Sequence, residues 1–249
     1  IKEFGAYLAE LNLPTRMLLG DNSDATTFDF ILPALNNSET HKYIGAVSFH
    51  SWRGCDDVTL RKWADAAKEI NVPLLVGEGS TDAAAHGYAE IFNESTFALY
   101  EINLYTRICT ICQPLSILQW QLTSDYSLLW GDGIYGSKGP LRPTQRFWNI
   151  KQLASTPADA LAIPVSSSKK NVNCAAFGNM VRGEYAVHMV NNGADCEAVI
   201  SGIPAEVKKL KVYVTNTKDC MKETAVKVEN GLVRVHLPAI SFITLLSGE

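Results

Sequence analysis

No stretch of this sequence is densely basic. The pairs Lys169-Lys170 and Lys208-Lys209 are the nearest approach, and 22 Lys and Arg against 26 Asp and Glu leave a net charge of −4. Nucleic acid selects for a Lys/Arg-lined surface and is therefore not an expected partner. No apolar run approaches the roughly 20 residues of a bilayer-crossing helix, so no membrane span is expected. The six cysteines lack the pairing of a metal site. Cys109 and Cys112 form one Cys-x-x-Cys inside a helical run, no second pair stands at zinc spacing, and Cys55, Cys174, Cys196 and Cys220 are scattered. Buried thiols are the expectation, with no metal and no cofactor. An initiating Met and a helix cap are also missing. Apolar residues at positions 1, 4, 8 and 11 have helical spacing, so the chain is expected to open inside an amphipathic helix, as part of something longer. Any signal segment is then out of view. Asn36-Asn37-Ser38 and Asn93-Glu94-Ser95 are glycosylation sequons, informative only in a protein secreted from a eukaryote.

What the sequence does have is alternation. Its 249 residues, 47% hydrophobic and 19% charged, suffice for one large domain or two modest ones. Residues 1–155 read as helices and strands in turn: helix 1–11, a short strand 16–20 ending at Asp21-Asn22, helix 27–35, strand 44–50, helix 57–70, strand 72–77, a helical segment 83–112 broken near Phe92-Asn93, strand 116–121, an irregular loop rich in Tyr, Trp and Gly, and helix 144–153. Helix 57–70 carries Val58, Leu60, Trp63, Ala66, Ala67 and Ile70 as its apolar stripe, with Asp56 or Asp57 as cap. Strict alternation implies a parallel sheet with right-handed crossovers.

The stretch Val72-Pro73-Leu74-Leu75-Val76-Gly77-Glu78-Gly79 anchors the functional reading. Its apolar run without polar alternation is that of a strand buried on both faces, and it ends on a carboxylate between two glycines, which are expected to let the backbone turn and keep Glu78 accessible. In a (β/α)8 barrel the C-terminal strand ends carry the chemistry. A Glu capping the next helix is the competing reading, so the other strand ends have to decide. They carry Asp21 and Asn22, then His50 and Trp52, then Glu78, then Trp120. A core His is more often structural and a Trp more often packing. Aromatics beside carboxylates nevertheless suit sugar rings, whose C–H faces stack on Trp while their hydroxyls bond His, Asp and Asn.

In these residues the chain resembles the C-terminal half of the barrel of clan A retaining glycoside hydrolases, and most of all glycoside hydrolase family 30. The clan's nucleophile is a Glu at the end of the seventh strand, matched by Val76-Gly77-Glu78. Its sixth strand ends in a His-x-Tyr or His-Trp type motif, matched by His50-Ser51-Trp52, and a Trp on the eighth strand lines the sugar subsite, matched by Trp120. Asp21-Asn22 falls at the end of the fifth strand, as a substrate contact. The clan's acid/base is the Glu of an Asn-Glu pair after the fourth strand. No such pair stands here in that place, since Asn93-Glu94 follows the nucleophile strand. The resemblance thus implies an acid/base upstream of Ile1. It also implies an isolated chain without activity, whose partner is a missing N-terminal barrel half or a second copy.

Beyond Thr156-Pro157 the period becomes two. Residues 172–177, 185–190, 197–200, 210–214, 224–228, 232–237 and 241–246 read as strands, with Asn192-Gly193 and Asn230-Gly231 as hairpin signals. His188 and His236 are expected to be sheet residues. The expected architecture is α/β plus all-β: the C-terminal half of a (β/α)8 TIM barrel over 1–155, then a small antiparallel β-sandwich over 156–249, of the kind family 30 carries. The expected function is retaining hydrolysis of β-glycosidic bonds in an oligosaccharide or glycoside, with Glu78 as nucleophile and Asp21, Asn22, His50, Trp52 and Trp120 binding substrate. The resemblance makes a secreted or periplasmic location the expectation. Two alternatives stand beside it, a non-catalytic carbohydrate-binding or assembly fragment and a different barrel chemistry with Glu78 as general base.

Overall fold

The computed structural model of this chain describes residues 1–82 and 87–248. Contacts divide it into two compact units, Ile1–Ala83 with Ile111–Trp120, and Ala84–Thr110 with Gln121–Glu249.

The first unit is built on four parallel strands paired in chain order: β1 (Met17–Asn22), β2 (Ile44–His50), β3 (Leu74–Gly79) and β4 (Ser116–Gln119). Sequential parallel order is what the helix–strand alternation implied. Ile44, Ala46, Val47, Ser48 and Phe49 of β2 are all buried, as in a strand covered on both faces. Strand β3 starts two residues later than expected, because the Val72 N–H is still bonded to the Ala67 carbonyl. It then runs on through Glu78, which lies within the strand rather than beyond it.

Helix α1 (Lys2–Glu10) forms as its spacing predicts, but Phe4, Tyr7 and Leu11 are exposed and it packs through Gly5, where a Cβ would run into the Tyr43 ring. The expected helix 27–35 is instead a 3-10 stretch, Ala25–Ile31, leading into a single α turn, α2 (Leu32–Leu35). The Thr27 hydroxyl donates to the Asp24 carbonyl (2.6 Å) and draws the backbone out of the helix. A short helix, α3 (Ser38–His41), follows, with the Asn37 side chain capping the Glu39 N–H. Helix α4 (Asp57–Glu69) is capped by Asp56, whose carboxylate accepts from the N–H groups of Val58 (3.0 Å) and Thr59 (3.1 Å). Leu60, Trp63, Ala66 and Ala67 form its buried face, while Val58, expected in the stripe, falls on the opposite side of the helix and is exposed.

In the second unit the expected break near Phe92-Asn93 separates a 3-10 stretch, Ala89–Asn93, from α5 (Ser95–Cys112). The first part of the expected 83–112 segment, residues 83–86, lies outside the described residues. A two-residue ladder of β5 (Leu129–Trp130) and β6 (Arg142–Pro143) precedes α6 (Gln145–Leu153), capped by Thr144. Then come β7 (Leu161–Ile163), β8 (Val172–Asn179), β9 (Glu184–Asn191), β10 (Cys196–Ser201), β11 (Lys209–Thr215), β12 (Lys222–Lys227), β13 (Leu232–Leu237) and β14 (Ser241–Leu246). Six pair antiparallel in the order β12-β11-β14-β9-β8-β7, and β10 pairs with β13. Both sheets contribute to one apolar core that includes Met189, Leu210, Val212, Val233, Val235, Leu237, Ile243 and Leu245.

The two hairpin signals part company. Asn230 and Gly231 adopt the paired left-handed angles of a tight turn (φ 51° and 71°), closed by a Glu229–Leu232 bridge, but the strands on either side then enter different sheets. Asn192-Gly193 makes no hairpin. The Asn191 side chain accepts from the Gly193 N–H (3.1 Å) and donates to the carbonyls of Ala194 (3.0 Å), Leu237 (3.2 Å) and Pro238 (2.9 Å), turning the chain out of one sheet towards the other.

Buried polar groups lock this unit. Arg146 and Glu101 form a fully buried bidentate pair (2.7 and 2.9 Å), and the guanidinium also donates to the carbonyls of Tyr126 and Ser127 (both 3.0 Å). Gln152 ties α6 to the sheet by accepting from Thr215 (2.7 Å) and donating to the Phe242 carbonyl (3.1 Å). His188 sits wholly buried on β9 between the hydroxyls of Thr156 and Thr244 (both 2.8 Å), and desolvation pushes its imidazole down to about 3.

Candidate active site at the strand ends

Three register shifts fall at the C-terminal ends of β1, β2 and β3: between Gly20 and Asn22, between Phe49 and His50, and between Val76 and Gly79. A bulge re-aims a side chain out of its strand's alternation. Here the bulges bring Asp21, His50 and Glu78 together at one rim, with Trp52 just after β2.

The Asp21 backbone is left-handed (φ 61°), directly after Gly20 at φ 96°. Asp tolerates that region better than most residues, at a cost of about 1–2 kcal/mol. Gly20 is needed for close approach as well, because a Cβ there would meet the Ser48 carbonyl, and the Trp63 ring at 3.1 Å. Trp63 is itself fixed, stacked on Phe49 at 5.3 Å and donating its indole N–H to the Ala25 carbonyl (2.8 Å). The Asp21 carboxylate accepts from the buried Ser48 hydroxyl (3.0 Å) and faces His50 Nε2 at 3.2 Å. A carboxylate only accepts, so the proton of that second bond resides on Nε2.

Gly77 is explained by the same carboxylate. Its φ is not left-handed, yet a Cβ would overlap Asp21 Oδ1 and stand 2.8 Å from Ser48 Oγ. The glycine before Glu78 is therefore there for room, not for the backbone freedom expected of it.

Glu78 is held from one side. Its Oε2 accepts the Trp52 indole N–H (2.9 Å). His50 Nδ1 lies 3.1 Å from the same oxygen, but at an angle that makes no hydrogen bond. Oε1 accepts no hydrogen bond from the described residues, and the Glu78 side chain remains 27% exposed. His50 is more enclosed (13%) and Asp21 more open (46%). A partly exposed carboxylate with one oxygen bonded and the other without a hydrogen-bond partner among the described residues is poised to act as nucleophile or base.

The loops after β2 and β3 are fastened side by side. The Ser51 hydroxyl donates to the Ser80 carbonyl (2.5 Å) and accepts from the Ser80 N–H (3.0 Å). The Ser51 N–H donates to the Glu78 carbonyl and the Asp82 N–H to the Trp52 carbonyl (both 3.0 Å). Arg53 pairs with the Asp82 carboxylate through Nε at 2.8 Å and through Nη2.

Of the six residues singled out from sequence, the structure joins Asp21, His50, Trp52 and Glu78 in one contact network. Trp120 reaches the rim through its backbone, its N–H on the Gly79 carbonyl (2.8 Å), with its ring partly exposed. Asn22 pairs with Phe49 in the β1–β2 ladder, and its side chain bonds no other described residue. Ser48 and Gly20 escaped sequence reasoning, Ser51 was read only as the middle of His50-Ser51-Trp52, and Gly77 was read for backbone freedom rather than for room. A lone Ser within the apolar run that ends at His50 was the available signal for Ser48. No group of three His, Cys, Asp or Glu among the described residues could hold a metal ion. Cys109 and Cys112 are buried. Desolvation pushes the Cys109 thiol up to about 12, and Cys112 Sγ lies 3.4 Å from the Leu60 carbonyl.

The sequence matches no protein-family model and no curated protein. Solved structures do match. A GH30 endoxylanase from Clostridium papyrosolvens C71 superposes with a TM-score of 0.79 at 13% identity, over 100% of this chain and 60% of that one. The glycoside hydrolase family 30 subfamily 8 xylanase of Clostridium acetobutylicum gives 0.77 at 14% identity, over 100% and 59%. A family 51 α-L-arabinofuranosidase from Bifidobacterium longum gives 0.64 at 13% identity, over 98% and 60%. The chain thus spans about three fifths of the length of the structures it matches. In fold, across its whole length, it resembles glycoside hydrolase family 30.

Proposed function

We propose that this chain carries the nucleophile of a retaining glycoside hydrolase acting on β-linked sugar in an oligosaccharide or glycoside. Residues 1–155 would form the C-terminal half of a (β/α)8 barrel and residues 156–249 a β-sandwich module. The observation that carries the proposal is Glu78 at the rim, its side chain 27% exposed, Oε2 bonded to Trp52 and Oε1 without a hydrogen-bond partner among the described residues. Glu78 Oε1 attacks the anomeric carbon as the glycosidic bond breaks, and water later releases the sugar from the ester. Trp52 donates to the carboxylate while it is charged. His50 closes one side of it, and Asp21, Asn22 and Trp120 contact sugar hydroxyls and faces.

Retention needs a second carboxyl group about 5–5.5 Å from the first. Asp21 does not serve, because the His50 imidazole fills the space between it and Glu78. The acid/base therefore comes from polypeptide outside these residues, and the chain alone is inactive, short of about 10²–10⁴-fold in rate from that loss. The open sheet fits this view. Its edge strands β1 and β4 expose Leu18 and Leu118, beside exposed Leu115, and unpaired apolar edges demand a partner. We propose that further barrel strands, or a second copy, cover them.

Location outside the cytoplasm, secreted or periplasmic, belongs to the same proposal. It is supported by the structural match to a conserved exported protein from Bacteroides fragilis. No helix among the described residues is long and apolar enough to cross a membrane.

Two experiments test the proposal. In a version of the protein that turns over a β-glycoside, Glu78→Gln abolishes hydrolysis and leaves sugar affinity nearly unchanged, and surviving turnover overturns the assignment. The 249-residue chain, sized in solution, is expected to self-associate, and a well-behaved monomer refutes the need for a partner.

A further inference from the structure

We infer that Ser51 is a positioning residue for Glu78, acting through Trp52; its bearing on turnover rests on the glycosidase proposal above, its geometry does not. Trp52 follows β2 on a loop, and Glu78 sits near the end of β3. A hydrogen bond between groups on two different segments keeps its length only if those segments keep their spacing. Ser51 sets that spacing from the residue directly before Trp52. Its hydroxyl, buried with the whole residue, both donates to the Ser80 carbonyl (2.5 Å) and accepts from the Ser80 N–H (3.0 Å). The Ser51 N–H adds a third link, to the Glu78 carbonyl (3.0 Å). The two residues flanking Trp52 are thus both tied to the β3 segment, Ser51 through Ser80 and Arg53 through Asp82. The Trp52 indole between them has little freedom to leave Glu78 Oε2 at 2.9 Å.

The two ties differ in kind. Arg53 is a long, exposed side chain and its ion pair is open to solvent. Ser51 is short, with one rotatable bond to its hydroxyl, and buried. A buried two-way clip with so few conformers holds position tightly. Ser51 and not Arg53 therefore dictates which Glu78 oxygen is occupied and which is left for attack. Among the residues of His50-Ser51-Trp52, the middle one is buried, yet it sets the position of the Trp52 that follows it.

The test reads the Trp52–Glu78 bond directly. The protein has five Trp, so an amide-region ¹⁵N–¹H spectrum shows five indole N–H signals, and Trp52→Phe identifies the one that matters. Glu78→Gln gives the position that signal takes when its acceptor is uncharged. Ser51→Ala is expected to move the Trp52 signal most of the way to the Glu78→Gln position, or to broaden it beyond detection while the other four stay sharp. Ser51→Thr, which restores the hydroxyl, is expected to return it. Arg53→Ala moves it less than Ser51→Ala does. Should Ser51→Ala fail to fold, Ser51→Cys keeps the size with a weak, longer-reaching donor, and an intermediate displacement is expected. A Trp52 signal unmoved in Ser51→Ala, or in Ser51→Cys where the alanine variant does not fold, overturns the inference. So does a larger movement in Arg53→Ala than in Ser51→Ala. None of these readouts depends on turnover, so a failed glycosidase assignment, seen as activity surviving Glu78→Gln, is distinguishable from a failed positioning role.

Discussion

Replacing Gly77 by Ala isolates the space that holds the site's second carboxylate. The backbone there is extended and accepts any L residue, so the perturbation is purely steric. The new methyl overlaps Asp21 Oδ1 and sits 2.8 Å from Ser48 Oγ. Ser48 is fully buried and has little room to yield, whereas Asp21, 46% exposed, can swing outward. Swinging out forfeits the Ser48 hydroxyl bond (3.0 Å) and the His50 contact (3.2 Å). A hydrogen bond to a charged group is worth about 1.5–3 kcal/mol when buried, and solvent screening of so exposed a carboxylate cuts the sum of the two to about 2 kcal/mol. Overpacking against Ser48 adds about 1 kcal/mol, and Gly→Ala returns about 0.5–1 kcal/mol through the unfolded chain. The expected net loss is about 2 kcal/mol. Urea unfolding of the parent, Gly77→Ala, Asp21→Ala and the double variant closes a mutant cycle. With the Asp21 carboxylate gone, the Gly77→Ala step should cost under about 0.5 kcal/mol, a coupling of about 1.5 kcal/mol. Simple additivity of the two substitutions refutes the steric account. So does a Gly77→Ala protein as stable as its parent within about 0.5 kcal/mol, the usual scatter for surface changes.

Two further outcomes concern the second unit. Glu101→Ala leaves the Arg146 guanidinium buried and uncompensated and should cost about 3–5 kcal/mol, read by urea unfolding. A loss under about 1 kcal/mol, the worth of an exposed pair, would sink that account. His188 is neutral in the folded protein down to about pH 3, whereas the unfolded imidazole takes its proton near its ordinary 6.5. The unfolded state therefore binds the extra proton, so stability is full above 6.5 and falls with pH at up to about 1.4 kcal/mol per unit. His188→Gln should remove about 2 kcal/mol of the difference between pH 7 and pH 5, and an unchanged difference contradicts the neutral imidazole.

The parallel sheet was legible because β2 and β3 are central strands. The apolar run of β2 records burial on both faces, and both runs are short and bounded by turn residues, which argues strand over helix. The edge strands gave weaker signals, and β4 is two residues shorter than the strand expected over 116–121, ending at its last ladder pair, Gln119. Helix α4 was readable down to its cap because an Asp side chain at that position satisfies two backbone donors locally. By contrast, β7 escaped notice. Its three residues pair only with β8, and Leu161 is exposed, so the segment carries no alternation. The fate of Asn192-Gly193 was equally hidden, since what redirects the chain there is the Asn191 carboxamide reaching carbonyls of residues 237 and 238.

The same division runs through the candidate site. Glu78, His50, Trp52 and Asp21 could be found because each stands at the end of an apolar run, a position that one strand's own sequence displays. What makes them a site is written nowhere along a single strand. Gly77 is small because of a carboxylate 56 positions earlier, and Gly20 because of a carbonyl 28 positions later. Each glycine also has a local excuse, a turn beside Glu78 or a strand end at Asp21, and that excuse conceals the steric cause. The glycine before the carboxylate and the bulged Asp21 are therefore one structural unit read as two. Asp21 thus belongs first to the machinery that orients His50, and under the proposed function substrate would meet the carboxylate oxygen that neither Ser48 nor His50 occupies. Substituting Asp21 by Asn keeps the side chain's shape and a carbonyl acceptor for the Ser48 hydroxyl, so its effect would fall on the charge-assisted half of the His50 contact, whereas Asp21→Ala removes both.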